Sequence, residues 1–415
     1  MAYKTWAKET EQADLPALAG GRPVREVYLP LNEPYLTREE ISEATAVIES
    51  GRFSAGARVQ EFEERFAERV GARYAVAVST CTAALHAACY AAGISRGEEV
   101  IMSPLAPPAA GSAVIYIGAK PVFADVNEAS LNLDPAEIER NITHNTRAIV
   151  VTHFAGHPCD IAGVLEVARR HQLVLVEDAT EALGAAYRGQ PVGSFGLTAA
   201  FSLNPEAIIT AGSGGLVATS DEDTCRWLRL FTDRGIVRDF RQHVRREGPW
   251  HYEVQELGYD YRPTEIQGAL GLAQFKRLDR LLERRREIAA RYNEAFGCLP
   301  HVETPHSLPD TEPSWNLYVL RLKLELLRAD RREIFLALMA EKINAGVHHL
   351  PVYLHPLYGW LGDPTVCTLH QGPPCPKAQA AYKRLITLPL YPKMSDADVD
   401  DVIAAVQRVL THFAR

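Results

Sequence analysis

No stretch of this chain stays apolar for the roughly 20 residues that a membrane-crossing helix needs, so the sequence offers no span. Positive charge is not in excess either. Lysine and arginine total 44 against 52 aspartates and glutamates, and the formal net charge of −8 argues against a nucleic-acid footprint. The one dense basic run, Arg284–Arg286, lies between Glu283 and Glu287 and reads as a solvated helix face. The opening segment, MAYKTWAKETEQADLPALAGG, is polar and has no apolar core, so it does not read as a signal peptide. Cysteines are few, scattered and odd in number, seven in all. Without an export signal they are expected to be reduced thiols of a cytoplasmic protein. Cys367, His370 and Cys375 have a superficially metal-like spacing, but their glycine- and proline-rich loop fits a tetrahedral site poorly, and no metal is expected.

What is present suits a soluble globular protein: 415 residues, 47% of them hydrophobic, are enough for a sizeable core. There are no repeats and no low-complexity tracts. Short apolar runs at Tyr74–Val78, Val100–Met102, Pro121–Val126, Ala148–His153, Leu173–Glu177, Ala199–Leu203 and Gly215–Thr219 read as buried strands. Amphipathic stretches such as Pro135–Ile142 and Ile161–His171 lie between them. This alternation predicts an α/β fold, a mainly parallel sheet with helices on both faces. Ahead of it, Thr37-Arg-Glu-Glu40 is a capping box that opens a helix, and Arg58–Val70 is a second helix stopped by Gly71. Gln267 to about Glu294 reads as one long helix joining two domains. A strand (Leu317–Leu322), a helix (Arg331–Ala345) and a final helix (Asp396–His412) then form a smaller α+β unit. The expected division is an N-terminal arm over 1–28, a large domain over 29–275 and a small domain over 276–415.

Ligands of open parallel sheets bind outside the carboxyl ends of the strands, so the segments that follow the strands carry the chemistry. Ser79-Thr-Cys-Thr-Ala-Ala-Leu85 opens a helix with small hydroxyl residues, and backbone N–H groups at such a start can cradle an anion. Read alone, it is equally a plainly capped helix. Asp178 ends the apolar run LVLVED, where a carboxylate is costly to bury without a partner. Asn204-Pro-Glu-Ala-Ile-Ile-Thr-Ala-Gly-Ser-Gly-Gly215 is a loop that turns back into another strand. Gly258-Tyr-Asp-Tyr-Arg-Pro-Thr-Glu-Ile-Gln267 opens the long helix.

In this order and spacing the segments resemble the sugar aminotransferases of the DegT/StrS type, fold-type I enzymes that use pyridoxal phosphate. The resemblance runs from about Leu29 to the end. It includes Gly51-Arg-Phe-Ser-Ala-Gly56, Gly118-Ala-Lys-Pro-Val-Phe123 and His153-Phe-Ala-Gly-His-Pro158. It continues through Ser314-Trp-Asn-Leu-Tyr318 and Leu388-Pro-Leu-Tyr-Pro392. Such enzymes move an amino group from glutamate or glutamine onto a keto-sugar, often nucleotide-linked, in making amino sugars or aminocyclitols. The resemblance makes Asp178 the partner of the pyridine nitrogen. Thr82, Ala83 and Ser202 become phosphate contacts. It places Phe53, His153, His157, Trp315, Asn316, His348, His349 and His355 around the substrate. Read alone, the last three are solvated loop histidines. It also implies an intimate homodimer in which Asp260 of the partner subunit reaches the pocket.

Four positions depart from the pattern. Ala207 stands where the Schiff-base lysine belongs, which removes both the covalent anchor and the base that shuttles the proton. Loss of a general base alone typically costs roughly 10²–10⁴ in rate. Pro107 stands near the place of the aromatic residue that stacks on the ring, and Glu181 replaces a neutral residue beside the ring hydroxyl. Asp260 replaces an asparagine, and at ~4 Å and an effective dielectric near 20 its repulsion of a phosphate is about 4 kcal/mol per charge pair. The alternative is that Asp260 turns towards Arg262 or solvent.

Three readings stay open. A lysine-less relative could hold pyridoxal or pyridoxamine phosphate non-covalently, with Glu181 or Glu206 as the base, or bind a cationic or polyhydroxylated ligand with no cofactor at all. An ordinary aminotransferase could carry an introduced lysine-to-alanine change. The chain could instead be a non-catalytic binding subunit.

Overall fold

The computed structural model describes residues 15–54, 56–245, 247–360 and 374–415. The apolar runs become a seven-stranded sheet: β1 (Tyr74–Val78), β2 (Glu99–Met102), β3 (Lys120–Phe123), β4 (Thr146–Thr152), β5 (Val174–Asp178), β6 (Thr198–Ser202) and β7 (Gly215–Thr219). Their spatial order is β1-β7-β6-β5-β4-β2-β3. Strands β2 to β6 pair in parallel, while β7 runs antiparallel to both of its neighbours. Sheets covered on both faces need strands that are apolar throughout, and β2, β6 and β7 are buried at every position.

Each face has its own core. On one, α3 (Cys81–Ala91) and α4 (Pro108–Tyr116) pack Leu85, Ala88, Ala113 and Val114 against Val76, Val100 and Val176. On the other, α2 (Ala57–Arg69) and α5 (Ile161–His171) bring Val59, Phe62, Phe66, Ile161 and Val164 onto Ile101, Ile149 and Phe201. The capping box at Thr37 forms at the start of α1 (Arg38–Ser50), with the Thr37 N–H on Glu40 Oε2 at 2.6 Å. Gly71 follows α2 with φ +69, a conformation that glycine adopts without steric cost.

The expected long helix is two helices, α6 (Glu265–Phe275) and α7 (Leu278–Gly297). The break has a tertiary cause. Arg277 leaves helical geometry (φ −107, ψ 7), donates to the Tyr35 carbonyl at 3.2 Å, and pairs with the buried Glu40 carboxylate. The helix α8 (Arg331–Ala340) also ends before Ala345. Lys342 takes φ +65 there, and Ile343 forms a parallel bridge with Leu29.

The C-terminal sheet holds β8 (Val302–Glu303), β9 (Tyr318–Leu322) and β10 (Leu385–Leu388), packed with α7, α8 and α9 (Asp396–His412) over a third core. Residues 1–14 of the expected arm lie outside the described residues. Ala17 and Val24 each donate a backbone N–H to the buried Glu341 carboxylate at 2.8 Å. Cys367 and His370 also lie outside the described residues, while Cys375 is buried and contacts the Phe123 carbonyl. Among the described residues no His, Cys, Asp and Glu group is placed to hold a metal ion, and no helix is long and apolar enough to cross a membrane.

Candidate active site

The carboxyl ends of β4, β5 and β6 converge on Asp178. It is fully buried, and strand register places it beside Thr152. One carboxylate oxygen accepts from the Thr180 N–H (3.2 Å) and hydroxyl (2.6 Å), the other from the Thr152 hydroxyl (3.1 Å). Burial pushes the Asp178 carboxyl above its usual range, the Thr180 bonds oppose that rise, and the negative charge of Glu181 adds to it.

Glu181 sits three residues on and is held from two sides. Its Oε2 accepts the Ala155 N–H at 2.8 Å, and its Oε1 lies 2.8 Å from Nε2 of His349, which comes from the C-terminal part of the chain. Burial raises its carboxyl, but His349 and the Ala155 N–H outweigh that and leave it below the ordinary range. The two neighbouring carboxyls are thus pushed in opposite directions. The Glu181 backbone is also stitched in: its carbonyl accepts the Ser314 hydroxyl at 3.1 Å, and the Ser314 N–H donates to the Gly156 carbonyl at 3.0 Å. This seam carries Trp315 and Asn316, whose carbonyls each accept from Arg285 Nη1 at 3.2 Å. Arg285 is fully buried, and that burial lowers its pKa to about 9, which leaves it charged at neutral pH. The Asn316 Oδ1 atom is buried and has no partner among the described residues.

The predicted histidines separate. His153 is enclosed: its Nδ1 accepts the Cys159 N–H at 3.2 Å, so Nε2 carries the hydrogen towards Glu177, 3.3 Å away. Glu177 is itself filled by the N–H groups of Gly193, Phe195 and Gly196, so His153 serves the interior and not the cleft. His157 is buried edge-on to Trp315 (centroids 4.5 Å apart), with Nδ1 3.2 Å from the Ser307 hydroxyl. Burial lowers its pKa to about 4. His348 bonds the Thr387 hydroxyl at 2.9 Å, and burial again lowers its pKa to about 4. His355 is half-buried, and among the described residues only its backbone is hydrogen-bonded.

At the expected anion cradle, Thr80 caps α3 by accepting the Ala83 N–H at 3.1 Å, while Thr82 is half-buried in the first turn. The buried Ser202 hydroxyl accepts from the Asn204 N–H at 3.2 Å. The Cys81 thiol hydrogen-bonds to Ser202, and burial together with the Asp178 charge raises it to about 12, so it is not a thiolate. The first turn of α6 ties the rim together. Gln267 donates to the carbonyls of Ser79 (3.1 Å) and Ser213 (2.9 Å). Glu265 accepts the N–H groups of Gly56, Arg58 and Val59 at the start of α2, and its own N–H holds the Phe53 carbonyl at 3.0 Å. The Phe53 ring is exposed.

Ala207 is buried in the loop between β6 and β7, beside a small void that Asn32, Tyr35, Thr210 and Arg285 also line. Its neighbour Glu206 is exposed to solvent. Pro107 is half-buried at the N-cap of α4, with an extended ψ of 145. The Asp260 carboxylate accepts from Arg262 Nε at 3.1 Å, and Asp233 shares the same guanidinium at 3.2 Å. The pairing with Arg262 weighed from sequence is therefore the one that forms within this chain.

Sequence reasoning missed Cys81, Arg285 and the Thr152–Asp178–Thr180 set. A threonine two residues after a strand-ending aspartate was the available signal for the last.

Comparison with known proteins bears on this geometry. The chain is 41% identical over 387 residues to the spore coat polysaccharide biosynthesis protein SpsC of Bacillus subtilis, covering 93% of this chain and 98% of that protein. Helicobacter pylori PseC, an aminotransferase of pseudoaminic acid biosynthesis, superimposes with TM-score 0.84 at 27% identity, covering 93% of this chain and all of that one. The PLP form of the putative sugar aminotransferase Spr1654 from Streptococcus pneumoniae gives the same TM-score and identity, covering 93% and 99%. Residues 34–407 match one family across nearly the whole chain, and the protein belongs to it: the DegT/DnrJ/EryC1/StrS aminotransferase family.

Proposed function

We propose that this chain is a divergent family member that acts on a sugar, a nucleotide-linked sugar or an aminocyclitol, and that it does so without a covalently bound pyridoxal phosphate. The carrying observation is Ala207, a buried methyl group where the family pattern needs an amine. The remaining residues fit the cofactor only in part. Asp178 would meet a pyridine nitrogen, and Thr82 and Ser202 would meet its phosphate, while the Ala83 N–H expected there is held by the Thr80 cap. Against that, Glu181 is an acceptor already bonded to Ala155 and His349, so it offers no hydrogen bond to a ring phenolate. Pro107 gives no ring-stacking face. The set does not fit the usual anchored cofactor, and no step is routed through it.

Sugar chemistry is supported by the relatives, whose names place them in spore coat polysaccharide and pseudoaminic acid biosynthesis. The substrate would lie between Phe53, the Trp315–Asn316 seam and the His348–His355 segment. A homodimer is part of this reading: Trp250, Tyr252, Val254 and Leu257 are exposed in the segment leading to Asp260, and such patches mark interaction surfaces. A single lysine-to-alanine change explains Ala207 but leaves Glu181 and Pro107 unaccounted for. Thermal-shift screening of nucleotide sugars and aminocyclitols, with and without pyridoxamine phosphate, tests the reading. Protection by a member of the class without added cofactor is the expected result. Indifference to the whole class would refute it and favour a binding subunit.

A further inference from the structure

We propose that His349, oriented by Glu181, is the proton-transfer group of this cleft, and that the chain exchanges the hydrogen on the carbon next to a keto-sugar's carbonyl with solvent, using no cofactor. The proposal rests on the sugar reading above.

The geometry points to His349 rather than to either carboxylate. Glu181 is fixed at one oxygen by the Ala155 N–H, and its other oxygen faces His349 Nε2 at 2.8 Å. An ionised carboxylate only accepts, so a hydrogen sits on Nε2, and in the neutral imidazole this leaves Nδ1 with its lone pair. Among the described residues no hydrogen bond reaches Nδ1. The side chain keeps 13% of its surface accessible, so it is neither sealed in the interior nor freely solvated. Phe154 packs edge-on against the ring (centroids 6.1 Å apart) and limits its rotation.

The other candidates lack this combination. His153 uses both nitrogens in the interior, His157 is enclosed against Trp315, and His348 is tied to Thr387. Asp178 is fully buried with its oxygens bonded to Thr152 and Thr180, and Glu206 is on the surface. His349 alone among these groups joins an orienting carboxylate to a reachable nitrogen.

The step balances without a co-reactant. Nδ1 takes the α-hydrogen as a proton, the C–H pair becomes a carbon–carbon double bond, and the carbonyl π pair moves onto oxygen as an enolate. The imidazolium trades its proton with water and returns one to the same carbon. In heavy water the product is the α-deuterated keto-sugar.

Proton NMR of a nucleoside-diphosphate 4-ketohexose in heavy water, with the intact protein and no cofactor, tests this. Loss of the α-hydrogen signal is expected. His349→Ala should slow it about 100-fold or more, the low end of what a general base contributes, and free imidazole should restore part of the rate. Glu181→Gln should slow turnover while leaving the calorimetric affinity for the nucleotide sugar near its original value, the mark of a positioning residue. Binding without exchange, or exchange undiminished in His349→Ala, would overturn the proposal and leave the sugar reading intact. No binding by the unaltered protein would overturn both.

Discussion

Acidification should destabilise this protein through two histidines that burial keeps neutral, one enclosed and one half-buried, well before its carboxylates are fully protonated. His157 and His348 are both held neutral by burial, with pKa values of about 4 against an ordinary 6.5. An unfolded chain protonates them near 6.5, so from there down towards 4 the unfolded state binds more protons and stability falls with pH. For a gap of that size the linkage relation gives about 2 kcal/mol lost per histidine between ~pH 7.5 and ~pH 5, about 4 kcal/mol for the pair. The raised Asp178 works the other way, since its folded form favours the proton. The lowered Glu181 adds its loss only further down, through the carboxylate range. Urea denaturation at the two pH values, with NMR of ring-labelled histidine, reads both the loss and its source. His157→Gln should remove about half of the pH dependence. Either resonance titrating near 6.5 would refute the burial argument, and with it the neutrality assigned to these two residues.

Gly156→Ala should cost about 3 kcal/mol in the same denaturation assay, from its left-handed φ and overpacking together. An added Cβ would meet the Ser314 hydroxyl at 2.5 Å, the Glu181 carbonyl at 2.8 Å and the Asn316 N–H at 2.9 Å. Wild-type stability in that variant would contradict the seam described for Ser314–Asn316. Glu265→Gln should accelerate hydrogen exchange at Gly56, Arg58 and Val59, whose N–H groups its carboxylate now accepts, at a cost of about 1 kcal/mol. Unchanged exchange at those amides would show that the Phe53 loop is held by other contacts.

Elements set by local chemistry were readable from sequence. The extents of β1, β7, α5 and α9 match the apolar periodicity residue for residue, and the Thr37 box formed because its partners lie within one turn. The break between α6 and α7 was not readable, because it depends on Glu40 and Tyr35, more than two hundred positions from Arg277. Nor does periodicity reveal that β7 runs against its neighbours. The site divides in the same way. Asp178 declared itself as a carboxylate ending an apolar strand, and Asp260–Arg262 is a pair two residues apart. Glu181 and His349 lie 168 positions apart, and no local pattern announces that this carboxylate finds its hydrogen-bond partner in another part of the chain. The histidines shared an expected role but not an environment. Only packing tells the enclosed His153 from the accessible His349.

The most direct test of the account is covalent capture of the cofactor. The purified protein is incubated with pyridoxal phosphate, reduced with borohydride and mapped by peptide mass spectrometry, with absorbance recorded before reduction. If Ala207 takes the anchoring position, as proposed, no internal-aldimine band and no stoichiometric adduct on any lysine are expected. A band accompanied by one-to-one labelling of a single lysine, protected by a nucleotide sugar, would contradict it.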